Sequence, residues 1–149
     1  MSAFFLDASA LTKRYLTEAG SRWVSGRIDP SSGNMLVIAE ITRVEVAAAL
    51  AARCRAGAIQ IAERNALVAL LLHHCDREYR IAALSVAVVS RAVSLTQAHR
   101  LRGYDAVQLA TALAAGALLP ALTFVAADAD LLAAARAEGL LAEDPGQHA

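Results

Sequence analysis

Only one of the 149 residues is lysine, Lys13, against thirteen arginines, and aromatic side chains make up just 5% of the chain. Basic and acidic side chains number 14 each, so the formal net charge is zero. That balance excludes a protein that coats nucleic acid by charge alone, though not one that contacts it locally. Cysteine is scarce as well. Cys54 and Cys75 both lie in helix-like surroundings, with no CxxC or Cys/His spacing. They are expected to be reduced core thiols rather than a disulfide or a zinc site. Long hydrophobic runs are missing. Ala66–Leu72 falls far short of the ~20 residues a membrane span needs, and Ala112–Leu122 is broken by Gly116 and Pro120. The first residues, Met1 to Asp7, carry no basic n-region and meet an acid at once, unlike a secretory signal. The expected compartment is the cytoplasm, without membrane attachment. No GxxxxGK[ST], GxGxxG, GxSxG or HExxH pattern occurs.

What the chain does have is apolar mass: 57% hydrophobic residues, with 36 Ala and 21 Leu. Such a composition folds rather than staying disordered, and it favours helix. The length suits one domain; it is expected over residues 1–143, with 144–149 a frayed tail. Ala3–Leu6, Met35–Ile38, Ile81–Leu84 and Leu122–Val125 are short apolar runs between polar stops and read as buried strands, with a fifth possible at Leu140–Ala142. Between them the pattern is helical: a helix opened by Asp7-Ala8-Ser9, one carrying Trp23 and Ile28, long helices over Glu40–Ala56 and Ala58–Tyr79, one from Ser85 to about His99, one from Tyr104 to Gly116, and one over Asp128–Glu138. Alternating strands and helices predict an α/β fold with a mostly parallel sheet of four or five strands, covered on both faces.

Four acids stand out against this frame. Asp7 ends the first strand, Asp128 follows the fourth, Asp105 opens a helix, and Glu45 lies in the apolar stretch Val44–Ala49. Open parallel sheets bind ligands at the carboxyl ends of their strands, which is where Asp7 and Asp128 belong. Each Asp also precedes a helix, so an ordinary N-cap role competes with any chemical one. Glu45, in the middle of its expected helix, borders the buried stripe, and a half-buried carboxylate needs a partner or a metal. If the four converge, no fixed cation is expected among them; Arg14, Arg43, Arg100 and Arg102 are the nearest candidates. Clustered carboxylates repel and raise one another's pKa. A hard divalent cation relieves that repulsion and equips such a site for phosphodiester hydrolysis.

At these residues the chain resembles the PIN-domain proteins, and within them the toxin ribonucleases of VapBC toxin–antitoxin pairs. The likeness rests on Phe4-Phe5-Leu6-Asp7-Ala8-Ser9, on Thr42-Arg43-Val44-Glu45, on Tyr104-Asp105-Ala106-Val107-Gln108-Leu109-Ala110, and on Phe124-Val125-Ala126-Ala127-Asp128-Ala129-Asp130, in that order over nearly the whole chain. The resemblance implies a three-layer α/β/α sandwich and an RNA-cleaving enzyme that uses Mg²⁺ or Mn²⁺ held by Asp7, Glu45, Asp105 and Asp128. It also implies that Ser9 supports Asp7, that the protein is a homodimer, and that a small antitoxin protein is its partner. Asp130 reads as a solvated acid.

Other residues point less clearly. His73 and His74 lack a third ligand at helical spacing and read as packing residues. His99, Arg100 and Arg102 fit either an RNA phosphate contact or a solvated turn. Tyr104 reads as a turn-capping core residue rather than a base-stacking one, and Trp23 and Tyr15 as core or dimer interface. Two other functions come from different classes. A PIN fold kept as an inactive binding partner is opposed by the presence of all four acids. A phosphatase of haloacid-dehalogenase type would need a second Asp where Ser9 stands, and a late lysine the chain does not have.

Overall fold

Alternation along the first strand decides how the layers form. In the computed structural model, which describes residues 2–148, β1 spans Ala3–Leu6. Phe4 and Leu6 point to one face of the sheet and Phe5 to the other, and all three are buried. A strand buried on both faces needs a layer of helices on each side, and β1 is the centre of a five-stranded sheet in the order β3-β2-β1-β4-β5. β2 is Met35–Ala39, β3 Arg80–Ala82, β4 Thr123–Val125 and β5 Leu141–Glu143. All four pairings are parallel. The fifth strand is therefore present, and the third begins one residue earlier and ends two earlier than its apolar run suggests.

Among the described residues seven helices cover the sheet: α1 Ala8–Tyr15, α2 Ser21–Ile28, α3 Thr42–Arg55, α4 Ile61–Arg77, α5 Val86–Ala98, α6 Gly103–Leu118 and α7 Ala129–Ala137. One core forms where Phe5, Val37 and Phe124 meet Val88 and Leu95 of α5, Leu109 of α6 and Leu131 of α7. The other forms where Phe4, Leu6 and Ile38 meet Leu11 of α1, Val24 of α2, Val46 and Leu50 of α3 and Leu71 of α4. The result is a three-layer α/β/α sandwich. None of the described helices is long and apolar enough to cross a membrane. Cys54 and Cys75 are free thiols, Cys75 buried.

Three further departures from the expected boundaries bear on the site and the packing. Helix α6 runs through Gly116 to Leu118, because a glycine inside an Ala/Leu helix weakens it without ending it. Helix α3 starts at Thr42, so Glu45 falls in its first turn rather than mid-helix; Glu40 and Ile41 form the turn after β2. The carboxyl end, expected to fray from 144, is instead packed. Pro145–His148 forms a 3₁₀ turn with Pro145 buried, and His148 stacks on Trp23 with ring centroids 4.9 Å apart. Gly20 admits this contact. Its φ is +89°, and a Cβ there would lie 2.6 Å from the Pro145 backbone, so any side chain would be strained and would displace the turn. Residue 149 lies outside the described residues.

Tyr15 is core, as expected. Its hydroxyl lies 2.8 Å from His74 Nδ1 and 2.7 Å from the Tyr79 hydroxyl, which in turn accepts from Arg14 Nη1 at 2.6 Å. This buried polar set ties α1 to the end of α4. Burial pushes the Tyr15 and Tyr79 hydroxyls up and the His74 imidazole down, so all three are held neutral.

Candidate active site

Strand order reverses direction between β1 and β4: β2 and β3 lie on one side of β1, β4 and β5 on the other. The crevice beyond the carboxyl ends of such a pair is where open parallel sheets place ligands. Asp7, the residue after β1, sits there buried, and its backbone N–H donates to the Val125 carbonyl at 3.1 Å. Its Oδ1 accepts from Ser9 Oγ at 2.7 Å and from the Ala10 backbone N–H at 2.9 Å. Asp7 is thus both the N-cap of α1 and a wall of the crevice. Ser9 closes the opposite side, since its Oγ accepts from Ala127 N–H at 2.9 Å. One hydroxyl thereby fastens the end of β1 to the loop after β4.

Asp128 caps α7 in the same way, its Oδ1 accepting from Leu131 N–H at 2.9 Å. Asp105 does not cap. Arg102 occupies the N-cap position of α6 without a side-chain bond, and Asp105 lies in the first turn, buried. Glu45, in the first turn of α3, turns its Oε1 to Gln108 Nε2 at 2.7 Å. Asp7, Glu45, Asp105 and Asp128, from four separate segments, line one cleft with Ser9, Arg102 and Tyr104. Asp130 is exposed and lines the neighbouring cleft. His73 is exposed and His74 belongs to the α1–α4 network.

Burial drives the electrostatics. Removal from water lifts the Asp7 carboxyl to about 7, helped by the charges of Asp105 and Glu45 and opposed by the bonds from Ser9 and Ala10. Burial raises Glu45 as well, against the Gln108 bond, with Asp105 adding repulsion. Asp105 is raised by burial despite the neighbouring Arg102. These acids are close enough to repel, and proton uptake is one way such a cluster lowers its charge.

Two features were not legible beforehand. The first is Arg102. Its Nε donates to Asp105 Oδ2 at 3.1 Å and its Nη2 lies 3.8 Å from Asp128 Oδ2, so the expectation of an acid cluster with no fixed cation does not hold. The arginine sits three residues before Asp105, and the helix start at Gly103 turns it back over the acids. Its guanidinium carbon lies 4.8 Å from the centre of the Tyr104 ring, and Tyr104 is exposed at the rim rather than in the core. The second is Gln108, buried and donating through Nε2 to both Glu45 and Thr42 Oγ1, the latter at 2.9 Å. Its Oε1 has no hydrogen-bond partner. A glutamine three residues after Asp105, on the same face of a helix of Ala and Leu, was the available signal. Of the expected phosphate contacts, His99 is held by Glu138 Oε2 at 2.7 Å, while Arg100 is exposed.

A hard divalent cation suits this donor set. Asp7, Glu45 and Asp128 each commit one oxygen to a protein donor, and all four acids face the cleft from firmly packed elements. Among the described residues no group of three or more His, Cys, Asp or Glu side chains is arranged to hold an ion as it stands. A phosphatase of haloacid-dehalogenase type does not fit: Ser9 spends its hydroxyl on Asp7, and Lys13 pairs with Glu18 at 3.3 Å.

No family model matches the chain. The chain is 34% identical over 123 residues to Ribonuclease VapC45 of Mycobacterium tuberculosis, covering 78% of each protein. Its fold is similar to that of VapBC2 from Rickettsia felis, solved bound to a promoter DNA fragment, with a TM-score of 0.65, 12% identity, and 95% of this chain and 98% of that one covered. It is also similar to Mycobacterium tuberculosis VapC20, described as a Sarcin-Ricin loop cleaving toxin, with a TM-score of 0.64, 18% identity, and 93% and 96% covered.

Proposed function

Because the chain belongs to the VapC ribonuclease family, we propose that it is a toxin endoribonuclease that hydrolyses RNA phosphodiester bonds in the cleft between β1 and β4. The observation that carries this reading is the meeting of Asp7, Glu45, Asp105 and Asp128 at one sheet edge from four separate segments. Mg²⁺ or Mn²⁺ is the cofactor, with these four acids as its holders. When bound, such an ion makes water a stronger nucleophile and offsets charge on the leaving oxygen.

The chain's own residues do the rest. Ser9 and the Ala10 N–H fix Asp7 through Oδ1, so that its position does not depend on side-chain rotation. Gln108 does the same for Glu45. The rim carries Arg100 and Arg102, whose donors suit phosphate oxygens. The partner is a small antitoxin, in keeping with the VapBC assembly among the similar folds. The protein acts in the cytoplasm, where its two free thiols stay reduced, and it acts as a homodimer.

The test is cleavage of single-stranded RNA by the purified protein. Mg²⁺ or Mn²⁺ should support it and EDTA should abolish it, with recovery when excess metal is restored. Hydrolysis that persists in EDTA would sink the metal-dependent reading.

A further inference from the structure

Arg102 is the only basic side chain paired with any of the four acids among the described residues. Its position on them is specific. One guanidinium spans two elements, reaching Asp105 of α6 and Asp128 at the start of α7. It engages Oδ2 of both. In Asp128 the other oxygen, Oδ1, is committed to capping α7, so the oxygen that remains for a ligand is the one 3.8 Å from the Arg102 guanidinium.

We propose that Arg102 is the resident counter-cation of the metal-free site, and that a divalent cation enters by displacing its guanidinium from Asp105 and Asp128 into the adjoining cleft. The proposal rests on the reading of the four acids as the metal site. Three observations support it. First, the arginine side chain is 64% exposed while that of Asp105 is 11% exposed. The cation is therefore anchored at one end only, and exposed pairs of this kind are weak. Second, it has somewhere to go: Arg102 also lines a second cleft of about 480 Å³ that holds Asp105 and Asp128 together with Thr96 and the exposed Asp130, so another carboxylate stands in reach of the same opening. Third, a divalent cation and a guanidinium contending for the same two carboxylates repel one another, so occupancy by one disfavours the other. Such an arrangement keeps the acids compensated before metal arrives and puts a phosphate-binding group at the cleft once metal is bound.

The experiment is Mn²⁺ binding by calorimetry to the wild-type protein, Arg102→Met and Arg100→Met, all at low ionic strength. Arg102→Met should bind about fivefold more tightly, the gain expected from removing one exposed ion-pair competitor. Arg100→Met removes an equal charge from the neighbouring cleft without touching an acid, and its affinity should stay close to wild type. Equal affinity of wild type and Arg102→Met, or equal tightening in both variants, overturns the proposal. A second readout is direct: the Arg102 Nε–Hε resonance of the wild type should move toward the free-arginine position as Mg²⁺ saturates the site. A resonance that stays put while metal binds also overturns it. Absence of metal binding in all three proteins would instead remove the metal site itself, and the proposal with it.

Discussion

Asp105 shows how much one carboxylate has to balance. It is buried in the first turn of α6, bonded to Arg102, and its pKa is raised by burial in spite of that bond. The penalty of desolvation and repulsion thus exceeds what the exposed arginine returns. Asp105→Asn keeps the shape and removes the charge, so the metal-free variant is expected to melt at a higher temperature than the metal-free wild type. Metal reverses the order. A ligand at a hundredfold excess over Kd stabilises by ~2.7 kcal/mol, an increment the wild type should show and the variant should largely lose. Thermal melts of both proteins with and without Mn²⁺ check this; equal metal-induced shifts would take Asp105 out of the site. That Asp105 lies in the cleft was legible in the sequence, because Tyr104-Asp105-Ala106-Val107-Gln108 resembles an acidic motif of the PIN-domain proteins. Its tie to Arg102 was not, because the side chain's direction depends on where α6 begins, and Gly103 rather than Tyr104 begins it.

At the scale of elements, the sheet and its helices could be read from the alternation of short apolar runs with Ala/Leu-rich segments. Boundaries were harder wherever two signals competed. Gly116 looked like a stop, yet Ala and Leu on both sides carry α6 past it. The last residues looked like a polar tail, yet Trp23, Gly20 and Pro145 form a contact that no local pattern announces. Helix α6 is the element that organises the site, since it supplies both Asp105 and, one turn later, Gln108. The Gln108 amide holds Glu45 on α3 and leaves its own Oε1 unpaired. Gln108→Met preserves volume while removing the bond to Glu45. Loss of a residue that orients a metal ligand typically costs ~10–100-fold in metal affinity or activity, and that is the expected drop in Mn²⁺ affinity. The melting temperature should change little, because the substitution also removes a buried unsatisfied carbonyl. A Gln108→Met protein that binds Mn²⁺ as tightly as wild type would show that Glu45 needs no such support.

Taken whole, the molecule concentrates its electrostatic cost at one sheet edge. The Asp7 carboxyl sits near 7 in the folded protein against an ordinary value of 3.8, and Glu45 and Asp105 are raised in the same sense. Folding therefore favours their protonated forms. Between about pH 4 and pH 7 these three acids bind more protons in the folded state than in the unfolded chain, so their share of the stability of the metal-free protein should fall as pH rises through that window. Asp7→Asn should flatten the fall, measured by denaturant melts at stepped pH in EDTA. Identical pH slopes for wild type and Asp7→Asn would contradict the burial of Asp7. The proposed homodimer has a simple check: sedimentation at micromolar concentration should give twice the chain mass of 15.6 kDa, and a lone monomer would count against it.

The most direct measurement of the central claim compares single-stranded RNA cleavage by Asp7→Asn, Glu45→Gln, Asp105→Asn and Asp128→Asn at one Mn²⁺ concentration, with melting temperatures confirming that each protein is folded. If four carboxylates from four segments form one metal-dependent nuclease site, every variant should lose activity by about 100-fold or more, as expected when a ligand rather than its support is removed. A folded variant among the four that cleaves at the wild-type rate would contradict the account.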